Sequence, residues 1–162
     1  MCESVWTLPG FLKRLTSATG SSACCTKTVC KKQFTDEVAY RRELGVFQKD
    51  LPYVPKLESF DDKTRTITME RVGVPLGTVW DSGMLIGPIG NQERRKHDNE
   101  IRRLEKAFLS DTGLNHNDIL YKNVLRDKEN KLYLIDFERT STTYTEPNLD
   151  RIQKTEGQIP FV

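Results

Sequence analysis

The sequence predicts an α+β fold: a small sheet with one helix, followed by a helical part that carries a loop-rich polar site. Three observations support this. Segments around residues 24–34 and 54–72 are rich in Val, Thr, Cys and Ile and read as strands. Asp36–Leu51 and Gln92–Ser110 repeat their apolar residues at helical spacing. The order is strands, helix, strands, connector, helix, hairpin-like segment, which groups the strands instead of alternating them with helices.

Length and composition bound the rest. The 162 residues fit one domain or a compact pair of lobes. With 36% hydrophobic and 30% charged residues, the chain is polar but able to bury a core. A net charge of +2 gives no basic footprint for nucleic acid. No apolar run approaches the roughly 20 residues that a membrane helix needs. The N-terminus lacks a signal-peptide pattern, so the expected compartment is the cytoplasm. Cys2, Cys24, Cys25 and Cys30 all lie in the first fifth of the chain. They read as small strand residues, not as a disulfide scaffold, a zinc site or a redox site.

The elements follow in order. Residues 1–10, with Trp6 and the Pro9-Gly10 break, read as an irregular lead-in. Phe11–Leu15 suits a short strand, and the small polar run Thr16–Ala23 a loop or tight turn. Cys24–Phe34 suits one or two strands. In Asp36–Leu51, Tyr40, Leu44, Phe47 and Leu51 form an apolar stripe, with Thr35 or Asp36 as N-cap and Pro52 as the stop. Gly45 costs that helix about 1 kcal/mol against Ala. Val54–Phe60 and Thr64–Val72 read as two strands joined by a turn at Asp61-Asp62-Lys63. Gly73–Gly90 holds five glycines and two prolines and reads as a connector. In Gln92–Ser110 the stripe is Ile101, Leu104, Phe108 and Leu109, and Asp111-Thr112-Gly113 ends the helix. Leu120–Leu125 and Lys131–Ile135 flank a polar turn, and beyond Arg139 the chain reads as loop and tail.

The chemistry concentrates between residues 116 and 138. His116 and Asp118 form a His-x-Asp pair. Asn123 follows Asp118 by five positions, and Asp136 ends an apolar strand thirteen positions after Asn123. Phosphoryl transfer from ATP needs a carboxylate to orient the attacking hydroxyl. It also needs a carboxylate and an amide to hold magnesium, and a cation to offset developing charge. Asp118, Asp136, Asn123 and Lys122 supply those residue types.

The pattern His116-x-Asp118-x-x-x-x-Asn123, followed by Asp136-Phe137-x, resembles the catalytic loop and metal-binding motif of the protein-kinase-like superfamily. The resemblance covers about residues 11–138. It implies a bilobal fold with a truncated helical C-lobe, and ATP and magnesium as cofactors. Asp118 would be the catalytic base, and Asn123 and Asp136 the metal ligands. His116 would brace the loop, and Lys122 would neutralise phosphate charge. The implied division is an N-lobe at 11–72, a hinge and connector at 73–90, a minimal C-lobe at 91–140 and a tail at 141–162.

Upstream, Met69-Glu70-Arg71-Val72 resembles a hinge, with Met69 as gatekeeper and the backbones of Glu70 and Val72 bonding adenine. Val29-Cys30-Lys31-Lys32 resembles the strand that carries the phosphate lysine. Alternation turns only one lysine to the nucleotide. Families with such a pair use the first, so Lys31 is expected, paired with Glu43 rather than Glu37. The phosphate loop keeps one glycine, Gly20, with Ser21 and Ser22 beside it; small residues still let backbone N–H groups face phosphate.

Two departures stand out. Glu138 replaces the usual glycine after Asp136-Phe137. Only 24 residues follow Glu138, so no Ala-Pro-Glu-like motif is present. The plan is similar to that of truncated kinase effectors of bacterial pathogens, and a viral origin fits equally. The leading expectation is a minimal Ser/Thr-type protein kinase with an unknown protein substrate and a possible activating partner. The alternatives are a small-molecule kinase of the choline or aminoglycoside kinase type, and a pseudokinase acting as a binding module.

Overall fold

The computed structural model describes residues 21–76 and 96–145. The lead-in, the predicted strand Phe11–Leu15, Gly20, most of the Gly73–Gly90 connector and residues 146–162 lie outside the described residues. The fold is α+β. Strands β1 (Ser22–Cys25), β2 (Val29–Gln33), β3 (Leu57–Asp61) and β4 (Thr66–Glu70) form an antiparallel sheet in the order β1-β2-β4-β3. Helix α1 (Glu37–Phe47) lies between β2 and β3 in sequence. A second antiparallel sheet joins β5 (Val74–Pro75), β6 (Val124–Arg126) and β7 (Leu132–Leu134), with helix α2 (Asp98–Thr112) between β5 and β6.

The local reasons are visible in each element. Asp36 caps α1, its Oδ2 accepting the Ala39 N–H at 2.7 Å, so the cap is Asp36 and not Thr35. The helix ends at Phe47, well before Pro52. The N–H groups of Lys49 and Asp50 turn back to the carbonyls of Val46 and Phe47, and Asp50 takes a φ of 52° that no α-helix continues. Gly113 ends α2 in the left-handed region, its N–H donating to the Leu109 carbonyl at 2.8 Å. Leu109 itself is exposed, leaving Ile101, Leu104 and Phe108 as the buried stripe. Gly73 is required where β5 begins. Its φ is +76°, and a Cβ there would sit 2.0 Å from the Arg126 carbonyl oxygen.

The first sheet has two unlike faces. Across the register, Cys25, Cys30 and Met69 are neighbours, and Lys32 pairs with Ile67. All five are buried. Cys24, Lys31 and Thr68 are neighbours on the opposite face. Cys25 and Cys30 are joined by a disulfide, and Cys24 is also disulfide-bonded. This corrects the reading of the cysteines as unpaired strand residues. The physical reason is register: the three-residue turn Thr26–Thr28 places Cys25 directly opposite Cys30 on one face.

One continuous core joins the two sheets. Phe137 sits at its centre, edge-on to Phe47 of α1 at 5.7 Å and stacked on Phe108 of α2 at 5.5 Å. The Leu134 N–H donates to the Tyr53 carbonyl at 2.8 Å, a backbone tie across the same junction. Among the described residues, no helix is long and apolar enough to cross a membrane.

Candidate functional site

Two segments, α1 and the stretch after β7, converge on Lys32. Its Nζ lies 2.9 Å from Glu43 of α1, 3.0 Å from Asp136 after β7 and 2.9 Å from Glu138. Lys31, the expected partner of Glu43, is exposed on the opposite face of β2. The reason is strand parity: the buried row runs through Cys30 and Lys32, so Lys31 must point away. Glu43 is 1% exposed, while Glu37 is exposed and paired with Arg41 on its own helix.

The electrostatics follow from burial and this pairing. Burial alone would pull the Lys32 ammonium down, but Asp136, Glu43 and Glu138 outweigh it and hold its pKa well above the usual lysine value. Burial pushes the Glu43 carboxyl up to about 7; Lys32 opposes the rise, and Asp136 and Glu138 add to it. Burial works against ionisation of Asp136 too, yet Lys32, His116 and Lys122 hold its pKa below the ordinary carboxylate value. Ionised, the carboxylates of Glu43, Asp136 and Glu138 leave two negative charges in excess of Lys32, with one oxygen of each within 4.8 Å of the others. That donor set suits a divalent cation, which prefers oxygen ligands.

The second part of the site is the loop before β6. His116 is buried against Phe108 and Phe137. Its Nδ1 accepts the Asp118 N–H at 3.2 Å, so the ring proton sits on Nε2, which donates to the Ile135 carbonyl at 2.9 Å. Burial lowers its pKa and keeps this neutral form. The Asn123 amide donates to the Asp118 carbonyl oxygen at 2.9 Å and to its Oδ2 at 3.0 Å. The Asn123 Oδ1 accepts no hydrogen bond among the described residues, so it too is available to a cation. The Asn123 carbonyl accepts the Ile135 N–H at 3.1 Å, tying this loop to the segment that presents Asp136. Asp136 adopts a φ of 65° there. Lys122, in the 3-10 turn Tyr121–Asn123, is half-buried and close enough for its charge to act on Asp136.

The upstream residues also find places. The Ser21 hydroxyl donates to Glu138, and Ser22 begins β1. Met69 is buried on the inner face of β4. The Glu70 N–H is already bonded to the Lys56 carbonyl at 2.9 Å. Val72 leaves its backbone N–H and carbonyl without partners among the described residues.

Sequence reasoning missed three residues. Glu138, by sequence only a departure from the motif, is buried and bonded to Lys32 and Ser21. Asn117, at a φ of 66°, uses its amide to hold the carbonyls of Arg139 and Thr143, and its Oδ1 accepts the Thr145 N–H. Arg139 lies with Nη1 3.8 Å from Asp118 Oδ1. An acidic residue in a buried apolar strand end was the available signal for Glu138. Nothing local marked Asn117 or Arg139, whose contacts span more than twenty residues.

No family model matches the chain. A probable ethanolamine kinase of Arabidopsis thaliana is 36% identical over 112 residues, which is 64% of this chain and 28% of that protein. The chain thus spans little more than a quarter of that relative's length. The match suggests a kinase-type phosphotransferase relationship. Among solved structures, the crystal structure of monomeric WbdD matches with a TM-score of 0.52 at 18% identity, over 76% of this chain and 33% of that one. That likeness is one of fold.

Proposed function

We propose that this chain carries an ATP- and magnesium-dependent phosphotransferase site of the protein-kinase-like superfamily, acting on the hydroxyl of a small molecule. The observation that carries the reading is the meeting of Lys32, Glu43 and Asp136 beside the Asp118–Asn123 pair. A buried cation fixed by a helix glutamate suits the α- and β-phosphates of a nucleotide. Asp136 and the open Oδ1 of Asn123 would hold magnesium, and Glu138 adds a further carboxylate to that donor set. Bound magnesium supplies charge compensation across the phosphates. Asp118 orients the acceptor hydroxyl and takes its proton, while Lys122 offsets charge on the transferring group. His116 acts only through the loop, holding the Asp118 backbone. Ser21 and Ser22 would border the phosphates, and Met69, Glu70 and Val72 the base. The two-lobed division, with the connector at 73–90, belongs to the same proposal.

The amino-alcohol kinase match supports a small acceptor. A protein hydroxyl, the leading sequence expectation, draws no specific support.

The test is thermal unfolding with and without magnesium and ATP, paired with an ADP-release assay. A ligand at about 100 times its dissociation constant stabilises by roughly 2.7 kcal/mol, which raises the melting point by several degrees. The wild type is expected to show that rise. Asp118→Ala should keep it and lose transfer; Asp136→Ala should lose both. No rise in the wild type at millimolar nucleotide would overturn the reading.

A further inference from the structure

The two carboxylate oxygens of Asp118 face different groups. Oδ2 accepts the Asn123 amide at 3.0 Å. Oδ1 faces the guanidinium of Arg139, whose Nη1 is 3.8 Å away. That is too long for a direct hydrogen bond. Arg139 therefore stands beside the oxygen instead of capping it. Its side chain is 35% exposed, against 11% for Asp118, so the fork also reaches solvent. The placement is built, since the Arg139 carbonyl is held at 3.0 Å by Asn117, one residue before Asp118. Two further cations act on the segment that carries Asp136 and Glu138. Arg42 donates to the Glu138 carbonyl at 3.5 Å, and Lys122 acts on Asp136. Glu43, Asp136 and Glu138 are all turned onto Lys32.

An amino alcohol such as ethanolamine carries its ammonium a two-carbon stem from the hydroxyl. With that hydroxyl on Asp118, the ammonium would meet a guanidinium and find the neighbouring carboxylates already engaged. A carboxylate or phosphate at the same distance would meet a planar fork of donors that matches it bidentately.

We propose that Arg139 is a specificity residue, and that the acceptor is a small hydroxyl compound with an anionic group, carboxylate or phosphate, next to the hydroxyl it presents to Asp118. This rests on the phosphotransferase reading above. In the step, the acceptor oxygen forms a bond to the γ-phosphorus of ATP and the bond from that phosphorus to the β-γ bridging oxygen breaks. The hydroxyl proton passes to the Asp118 carboxylate, leaving ADP and a phosphate ester.

The experiment compares glycerate, glycerol 3-phosphate, glycerol and ethanolamine as acceptors in ADP release. It uses the wild type, Arg139→Gln and Arg139→Glu, each shown to melt cooperatively. The wild type should use at least one anionic acceptor tenfold or more better than ethanolamine in kcat/KM. Whether that acceptor is glycerate or glycerol 3-phosphate separates carboxylate from phosphate. The ratio should fall at least tenfold in Arg139→Gln, mainly through KM, and shift further toward ethanolamine in Arg139→Glu. Equal or better use of ethanolamine by the wild type overturns the proposal. So does an equal loss with all four acceptors in the variants, which would put Arg139 on the nucleotide. Stabilisation by magnesium and ATP with no turnover of any of the four also overturns it, while leaving the nucleotide site standing. Absence of that stabilisation overturns the phosphotransferase reading itself, and this proposal with it.

Discussion

Lys31 and Lys32 are adjacent in sequence but belong to different regions of the molecule. Lys31 stands on the outer face of the four-stranded sheet beside Cys24 and Thr68. Lys32 is buried on the inner face, in contact with Glu43, Asp136 and Glu138. The outer lysine is an ordinary solvated charge. The inner one pairs with three carboxylates at once, two of them buried, so the arrangement of α1, β2 and the segment after β7 depends on it. A one-residue change of parity separates a surface position from the centre of the site.

The sharpest way to break this comparison is to remove each charge in turn. Lys32→Met should cost about 3–5 kcal/mol, because it leaves buried carboxylates without their cation. It should also abolish transfer. Lys31→Met should stay within about 0.5 kcal/mol of the wild type. Urea denaturation of the two variants reads both values, and equal losses would mean that the two faces do not differ as described.

The hairpin that sets the parity gives a smaller effect. Replacing Cys25 and Cys30 together by serine removes a short cross-strand loop closure, with an expected loss on the order of 2 kcal/mol. The wild type in reductant should lose more stability than the double variant does, since only the bond of Cys24 is left to reduce in the variant.

A pH series probes the other side of the site, where His116 is buried neutral. Below the ordinary imidazole pKa the unfolded chain takes up a proton that the folded chain refuses. Stability contributed by neutral His116 is therefore present above that value and falls as the pH drops from it toward the lowered folded value. Glu43, with its pKa raised to about 7, acts with the opposite sign over part of this window. The useful quantity is thus the difference between wild type and His116→Gln. The variant should lose less stability than the wild type between neutral and mildly acidic pH. Parallel losses would mean that His116 is charged in the fold.

The smallest effect belongs to Gly45, in the interior of α1. A Cβ there meets nothing within 4 Å. Gly45→Ala should stabilise by about 0.4–1 kcal/mol without changing nucleotide response.

The legibility of the sequence follows the range of the interactions. His116, Asp118 and Asn123 were readable from spacing because their bonds join residues two to five apart. Helix α1 was readable for the same reason: Asp36, Tyr40, Leu44 and Phe47 lie on successive turns of one element. Its end was not, because the reversal of the chain at residues 48–50 stops it earlier than Pro52 would. The disulfide was missed because the pairing of Cys25 with Cys30 depends on the length of the turn between them, and the adjacent Cys24 offered an equal candidate.

By itself, the sequence determined the element order, the two apolar helix stripes and the local frame of the loop around Asp118, since periodicity and short-range hydrogen bonds act within a few residues. The tertiary structure alone decided which lysine is buried, that Glu138 joins Glu43 and Asp136 around it, and that Arg139 stands beside Asp118. Those choices depend on which faces of β2, α1 and the segment after β7 are pressed into one core, where Phe137 packs against Phe47 and Phe108 and a charge lacking a partner would be too costly to bury.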